Sequence, residues 1–172
     1  MTETLASAEL YVLAERLGET LGARGLTLAT AESCTGGWAA MAVTSVPGSS
    51  RWFERGFVAY SNTAKQEMLG VDAAILAAHG AVSEQAVHAM ARGALDRSAA
   101  DASLAISGVA GPGGGSAAKP VGLVCLGFAL RDGTSSTRSV QIDGGREQIR
   151  RAAVALAFQG LIELVSSTAA HS

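Results

Sequence analysis

Thr27-Leu28-Ala29-Thr30-Ala31-Glu32-Ser33-Cys34-Thr35-Gly36-Gly37, followed at once by Trp38-Ala39-Ala40-Met41-Ala42-Val43, decides the architecture of this chain. A short, mostly uncharged run gives way to hydroxyls and glycines and then to an apolar stretch, which predicts strand, sharp turn and helix. Upstream, Leu10, Leu13, Leu17 and Leu21 recur at helical spacing, with Glu9, Glu15, Arg16 and Glu19 free for the wet face, so residues 7–24 should form an amphipathic helix. Downstream, residues 56–60 (GFVAY) predict a second strand. Ser61 and Asn62 are N-caps for a helix carrying Lys65, Met68 and Leu69, which closes at Gly70. Asp72 caps a short helix, and Ser83 with Glu84 and Gln85 opens a longer one whose Ala86, Val87, Met90, Ala91 and Leu95 form an apolar stripe. Residues 102–107 read as a buried strand running into a glycine-rich loop, and residues 121–130 as another strand. Turn chemistry at 131–134 leads to a polar partner strand at 135–142, so these two should pair as an antiparallel hairpin. Gly144 and Gly145 break the chain before a final helix over 146–165, with Ile149, Ala153, Leu156, Ala157, Leu161 and Leu164 on one side and a frayed tail from 167 to 172. Alternating strands and helices with a late hairpin define the expected fold: a single three-layer α/β/α domain with a mixed sheet, spanning 1–172 with its core at about 8–166.

Composition removes several classes of function. With 172 residues, 48% of them hydrophobic and 16% charged, the chain can bury a large core and is not compositionally disordered. Thirteen basic residues stand against fifteen acidic ones without a basic run, so nucleic acid is not an expected partner. No apolar run reaches spanning length and the N-terminus carries acids where a signal peptide needs bases, so a cytoplasmic protein without a membrane partner is expected. Cys34 and Cys125 lack metal-ligand spacing and cannot make a disulfide framework. Two free thiols, no metal and no organic cofactor are the expectation.

Three polar segments each follow a predicted strand: 32–37, then Tyr60-Ser61-Asn62 with Lys65, then 107–115. If the strands are neighbours, the loops converge on one edge and form one site. At the first corner, backbone N–H groups and the helix dipole favour an oxyanion or phosphate, and glycines admit a ligand to the backbone. Ser33 is the candidate nucleophile; the alternative is that Ser33 or Thr35 only caps the helix. The three histidines read as capping or surface residues, which removes a Ser-His-Asp arrangement. Lysine can serve as the base because its amine loses a proton when desolvated, and Lys65 and Lys119 are the only lysines in the chain. Lys65 is therefore the candidate base, against the alternative of a solvated helix residue. Tyr60 either packs in the core or covers a flat substrate. Arg146 either anchors a phosphate or is an exposed charge, and Arg150 and Arg151 read as surface residues. Cys34 is a rival nucleophile if exposed and otherwise a small buried filler.

AESCTGG, VAYSN with Lys65 and LGV, HGAVSEQA, SGVAGPGGG with KPVG, and the late GGR with IR together resemble the CinA C-terminal domain family, over about residues 10–164. The resemblance implies a stand-alone nicotinamide-nucleotide amidase, hydrolysing nicotinamide mononucleotide to nicotinate mononucleotide and ammonia in pyridine-nucleotide salvage. It implies Ser33 as catalytic serine and Lys65 as its lysine, with Tyr60 and Ser107 lining the nucleotide pocket and Arg146 matching the family's late arginine. Thr35, Gly36, Gly37, Asn62, Gly108 and Gly111 of the loops join Ser107 and Arg146 in the expected substrate-binding set. One departure stands out: Gly145 occupies a position where the family usually has an acid. That departure favours a second reading, a catalytically silent nucleotide-binding or regulatory module, while Ser33, Lys65 and Tyr60 weigh against it. An amidase for another small amide is a third. A homo-oligomer, dimeric or larger, is expected.

Overall fold

The computed structural model describes residues 2–169, with side chains from residue 8 to residue 168. Five strands form one mixed sheet in the order β2-β1-β3-β4-β5, with β1 at Leu28–Glu32, β2 at Phe53–Val58, β3 at Ala102–Gly108, β4 at Leu123–Leu130 and β5 at Ser135–Gln141. β1 pairs in parallel with β2 and β3, whereas β3–β4 and β4–β5 are antiparallel, the last pair being the expected hairpin. All three parallel strands therefore end at the same edge.

The helices divide between the faces. α1 (Thr2–Gly22), α2 (Trp38–Thr44) and α6 (Arg146–Ala169) cover one side, packing Leu17, Leu21, Val43, Phe158 and Leu161 against Leu28, Leu104, Ile106, Leu126 and Phe128. α3 (Asn62–Leu69), α4 (Ala73–His79) and α5 (Glu84–Asp96) cover the other, packing Leu69, Val87, Met90 and Leu95 against Ala29, Ala31, Ala105 and Ala129. The second face is built from small residues, so helices approach it closely. A Cβ on Gly93 of α5 would come within 1.8 Å of the Leu69 carbonyl oxygen at the end of α3. That approach fixes how closely α3, and Lys65 on it, packs against α5.

Four elements differ from the sequence expectation, the first being α1, which spans Thr2–Gly22 rather than 7–24. β2 starts at Phe53 rather than Gly56, because the parallel ladder begins there: the Leu28 N–H donates to the Trp52 carbonyl at 2.7 Å, and Leu28 pairs with Phe53. Glu54 and Arg55 hid the start, since an edge strand tolerates charges that pair with each other in solvent. β4 starts two residues late, at Leu123, because Val121 and Gly122 form a turn. α6 runs past Val165 into the tail expected to fray, because Arg24 donates to the Val165 carbonyl at 2.8 Å and the Thr168 hydroxyl at 2.6 Å. The rest of that tail, from Ala170, and His171 with it, lie outside the described residues. Along α6 the buried stripe is wider than expected: Val154, Phe158, Ile162 and Val165 are buried beside Ile149, Ala153, Ala157 and Leu161, while Leu156 and Leu164 are half-buried. No helix among the described residues is long and apolar enough to cross a membrane.

Candidate active site

Side-chain alternation at the end of β1 sends consecutive residues to opposite faces of the sheet. Glu32 follows Leu28 and Thr30 onto the α2 side, and Ser33 follows Ala29 and Ala31 onto the α3 side. Ser33 extends the ladder by one bond, its N–H donating to the Ile106 carbonyl at 2.9 Å. Pairing between β1 and β3 thus holds the backbone beneath the hydroxyl.

Glu32 is fully buried and organises the corner. Its carboxylate accepts from the Thr35 hydroxyl at 2.7 Å and from the Ala39 and Ala40 N–H groups at 2.8 and 3.1 Å. The N-cap of α2 is Gly37, with φ +98°, which has no side chain to cap with. A carboxylate from upstream does that work and also meets the positive end of the helix. Glu32→Ala should therefore destabilise the fold by about 3 kcal/mol, since it strands buried donors. Urea unfolding checks this, with Glu32→Gln expected to lose less because an acceptor oxygen remains.

Lys65 sits at the fourth position of α3, capped by Ser61, whose hydroxyl accepts from the Ala64 N–H at 3.0 Å. Its side chain is 1% exposed and reaches back over the start of its own helix. Nζ lies 3.0 Å from the Ser33 Oγ, 3.2 Å from the Ala59 carbonyl and 3.2 Å from the Tyr60 carbonyl. No carboxylate pairs with it, the ion pairs among the described residues being Arg55–Glu54 and Arg138–Glu163. Burial holds the amine below its ordinary value of 10.5, against a smaller opposing effect of Cys34. The number of contacts matters as much as the burial. A neutral amine has two N–H groups and one lone pair; with the N–H groups on the two carbonyls, the lone pair faces the Ser33 hydroxyl. In this form Ser33 donates and Nζ accepts.

Tyr60 is 61% exposed, so it is not a core residue, and its OH accepts from Arg146 at 3.3 Å. Arg146 also donates to the Gly111 carbonyl at 2.8 Å, tying the glycine-rich loop to the Tyr60 segment at the start of α6. The acid missing at Gly145 is not needed to hold it. Gly145 instead donates its N–H to the Gln148 side chain at 2.7 Å.

The structure brings Ser33, Lys65, Tyr60, Gly111 and Arg146 to one edge. Ser107 lies there too, 2% exposed, its hydroxyl donating to the Ala81 carbonyl at 2.8 Å and so anchoring the α4–α5 connection. Thr35 is fully buried with its hydroxyl on Glu32, which leaves its backbone N–H as the group it can offer a ligand. Gly36 and Asn62 are exposed, and Gly37 and Gly108 half-buried, along the same rim. The Gly36 N–H turns back to the Ser33 carbonyl at 3.0 Å. Cys34 is 7% exposed and its thiol is pushed up to about 11 by burial, with Arg150 pulling the other way, so it is a filler rather than a nucleophile. His79 and His88 are exposed, and Lys119 donates to the His79 carbonyl, away from Ser33.

Sequence reasoning missed two residues. Glu32 was legible as a lone acid ending an uncharged strand. Arg150, read as a surface residue, is half-buried: Nε donates to the Cys34 carbonyl at 2.9 Å, Nη2 donates to the Thr35 carbonyl at 3.0 Å, and the guanidinium lies 5.2 Å from the Trp38 ring centre. Its signal was the four-residue spacing from Arg146, which puts both on one side of α6. A cavity of about 900 Å³ between α1 and α6, lined by Leu10, Val12, Asp143 and Arg151 among others, contains none of the site residues. The buried amine meets the hydroxyl at the sheet edge, outside that cavity.

An α/β domain with a serine–lysine pair at the carboxyl edge of its parallel strands is the class that fold and site define. The chain belongs to the CinA C-terminal domain family, whose model matches residues 10–165. It is 53% identical over 157 residues to the nicotinamide-nucleotide amidohydrolase PncC of Escherichia coli K12, covering 91% of this chain and 95% of the relative. Against the PncC protein of Pseudomonas putida it is 51% identical over 155 residues, 90% of this chain and 96% of the relative. Among solved structures, the competence/damage inducible protein CihA from Agrobacterium tumefaciens superposes with a TM-score of 0.88 at 48% identity, covering 91% of this chain and 95% of that one.

Proposed function

We propose that this chain is a nicotinamide-nucleotide amidohydrolase that converts nicotinamide mononucleotide and water to nicotinate mononucleotide and ammonia. Likeness at about half identity over nearly the whole length of relatives bearing that name supports the substrate. The observation that carries the chemistry is the 3.0 Å contact between a buried, uncompensated amine and the Ser33 hydroxyl.

Lys65, neutral, takes the Ser33 proton as Oγ attacks the carboxamide carbon, so the C–O bond forms as the carbonyl π pair moves to oxygen. The backbone N–H groups of Thr35 and Gly37 stabilise that oxyanion. Collapse expels the amine, Lys65 returns the proton to it, and ammonia leaves an acyl ester on Ser33. Water, deprotonated by the Lys65 amine, attacks the ester carbon; as the bond to Ser33 breaks, Lys65 returns that proton to Oγ, and the released acid ionises to the carboxylate. The exposed Tyr60 ring offers a face to the pyridine, while Arg146 and the glycine loops take the ribose and phosphate.

Ammonia release from the purified protein tests this, with nicotinamide mononucleotide, nicotinamide riboside, free nicotinamide and glutamine as substrates. The mononucleotide should be hydrolysed at least about tenfold more efficiently than the riboside, because Arg146 and the loops then have a phosphate to bind. Equal rates on all four amides, or none on the mononucleotide, would refute the assignment.

A further inference from the structure

We infer that Arg150 is a positioning residue that aims the backbone N–H of Thr35 at the oxyanion. The inference rests on the amide-hydrolysis reading above and deepens it. In a trans peptide the C=O and the following N–H point in opposite directions. Arg150 holds the Cys34 carbonyl from α6, so the N–H of the same peptide, that of Thr35, is turned away from α6. α6 packs on the face of the sheet opposite α3, the helix that carries Lys65. The Thr35 N–H is thus directed to the side on which Ser33 meets its amine.

Most of the neighbouring donors are committed. Gly36 donates to the Ser33 carbonyl, Trp38 to the Thr35 carbonyl, and Ala39 and Ala40 to Glu32, which leaves the Thr35 and Gly37 N–H groups without an acceptor among the described residues, and of these two it is the Thr35 peptide whose carbonyl partner Arg150 holds. A second bond from Arg150, to the Thr35 carbonyl, fixes the next peptide as well. Two parallel bonds from one planar guanidinium set the loop's rotation in a way a single ammonium contact cannot. The Trp38 ring beneath the guanidinium keeps the fork in place. Glu32 restrains the same corner from within through the Thr35 hydroxyl, so the side chain and the carbonyl of Thr35 are both fixed and the N–H is left for the ligand.

The test measures ammonia release from nicotinamide mononucleotide by wild type, Arg150→Ala and Arg150→Lys, with thermal unfolding of each. For Arg150→Ala, kcat should fall about 10²-fold with KM within about threefold of wild type, since the lost donor acts on the transition state. Millimolar guanidinium ion should restore at least about tenfold of that loss, which a merely structural defect would not allow. Arg150→Lys, which keeps the charge and reaches one carbonyl, should unfold near the wild-type temperature yet lose about tenfold in kcat. The inference is overturned if kcat in Arg150→Lys is unchanged, if KM rises in place of the fall in kcat, or if guanidinium rescues nothing in a folded Arg150→Ala protein. A wild-type protein that releases no ammonia would instead bring down the amidase reading itself.

Discussion

Ser33→Ala is expected to reduce ammonia release by at least about 10⁴-fold, because the covalent route disappears with its nucleophile and only binding and the oxyanion donors remain. The fold should hardly respond. The Ser33 hydroxyl makes one side-chain hydrogen bond, to Lys65, and a neutral Lys65 keeps both N–H groups satisfied on the Ala59 and Tyr60 carbonyls without it. A stability change below about 1 kcal/mol follows. The mononucleotide should still raise the melting temperature of the variant, since Arg146, Tyr60 and the glycine loops are untouched. A variant retaining more than about 1% of wild-type turnover would mean that water, not Ser33, attacks the amide.

Lys65→Met removes the base while filling similar space, and turnover should drop by at least about 10³-fold. The more discriminating consequence lies in pH. In the wild type, kcat/KM should climb with pH along a limb set by deprotonation of Lys65, whose midpoint falls below 10.5 because burial disfavours the ammonium. Stability should move in the same direction. Between the lowered value in the folded protein and 10.5, the unfolded chain binds a proton that the folded one does not, so stability rises with pH by up to about 1.4 kcal/mol per unit. Below that window both states carry the proton and the contribution is flat; burying the charge then costs the fold its full amount. Lys65→Met should lack this rise, so wild type gains on the variant as pH increases through the window. Urea titrations at a series of pH values measure the difference, and parallel curves for the two proteins would show that Lys65 is not held below its ordinary value.

The resemblance and the chemistry of the residue types reached the same pair from the sequence. An amine without a usable histidine nearby, a hydroxyl at a strand-to-helix corner and a run of ordered motifs were legible because each depends on local order. β2 was not. Its first residues, Phe53, Glu54 and Arg55, look like loop until β1 supplies the ladder that makes them a strand. Arg150 was misread for a related reason. An arginine beside a second arginine on a helix is by default a solvated charge, and it becomes a clamp only because α6 lies across the Cys34 and Thr35 carbonyls, some 115 residues earlier in the chain.

The sequence by itself determined the order of elements, the hairpin and the caps at Ser61, Asp72 and Ser83, and it put forward Ser33 and Lys65 as the candidate pair, all from spacing, capping and side-chain chemistry within a few residues. The tertiary structure alone decided that Lys65 is buried without a counter-ion, that its amine sits between the Ser33 hydroxyl and two carbonyls, that Glu32 caps a helix from upstream, and that Arg146 is held without the missing acid. Protonation state and donor direction depend on solvent exclusion and on groups far apart in the chain, and those exist only once the sheet has brought its three parallel strand ends together.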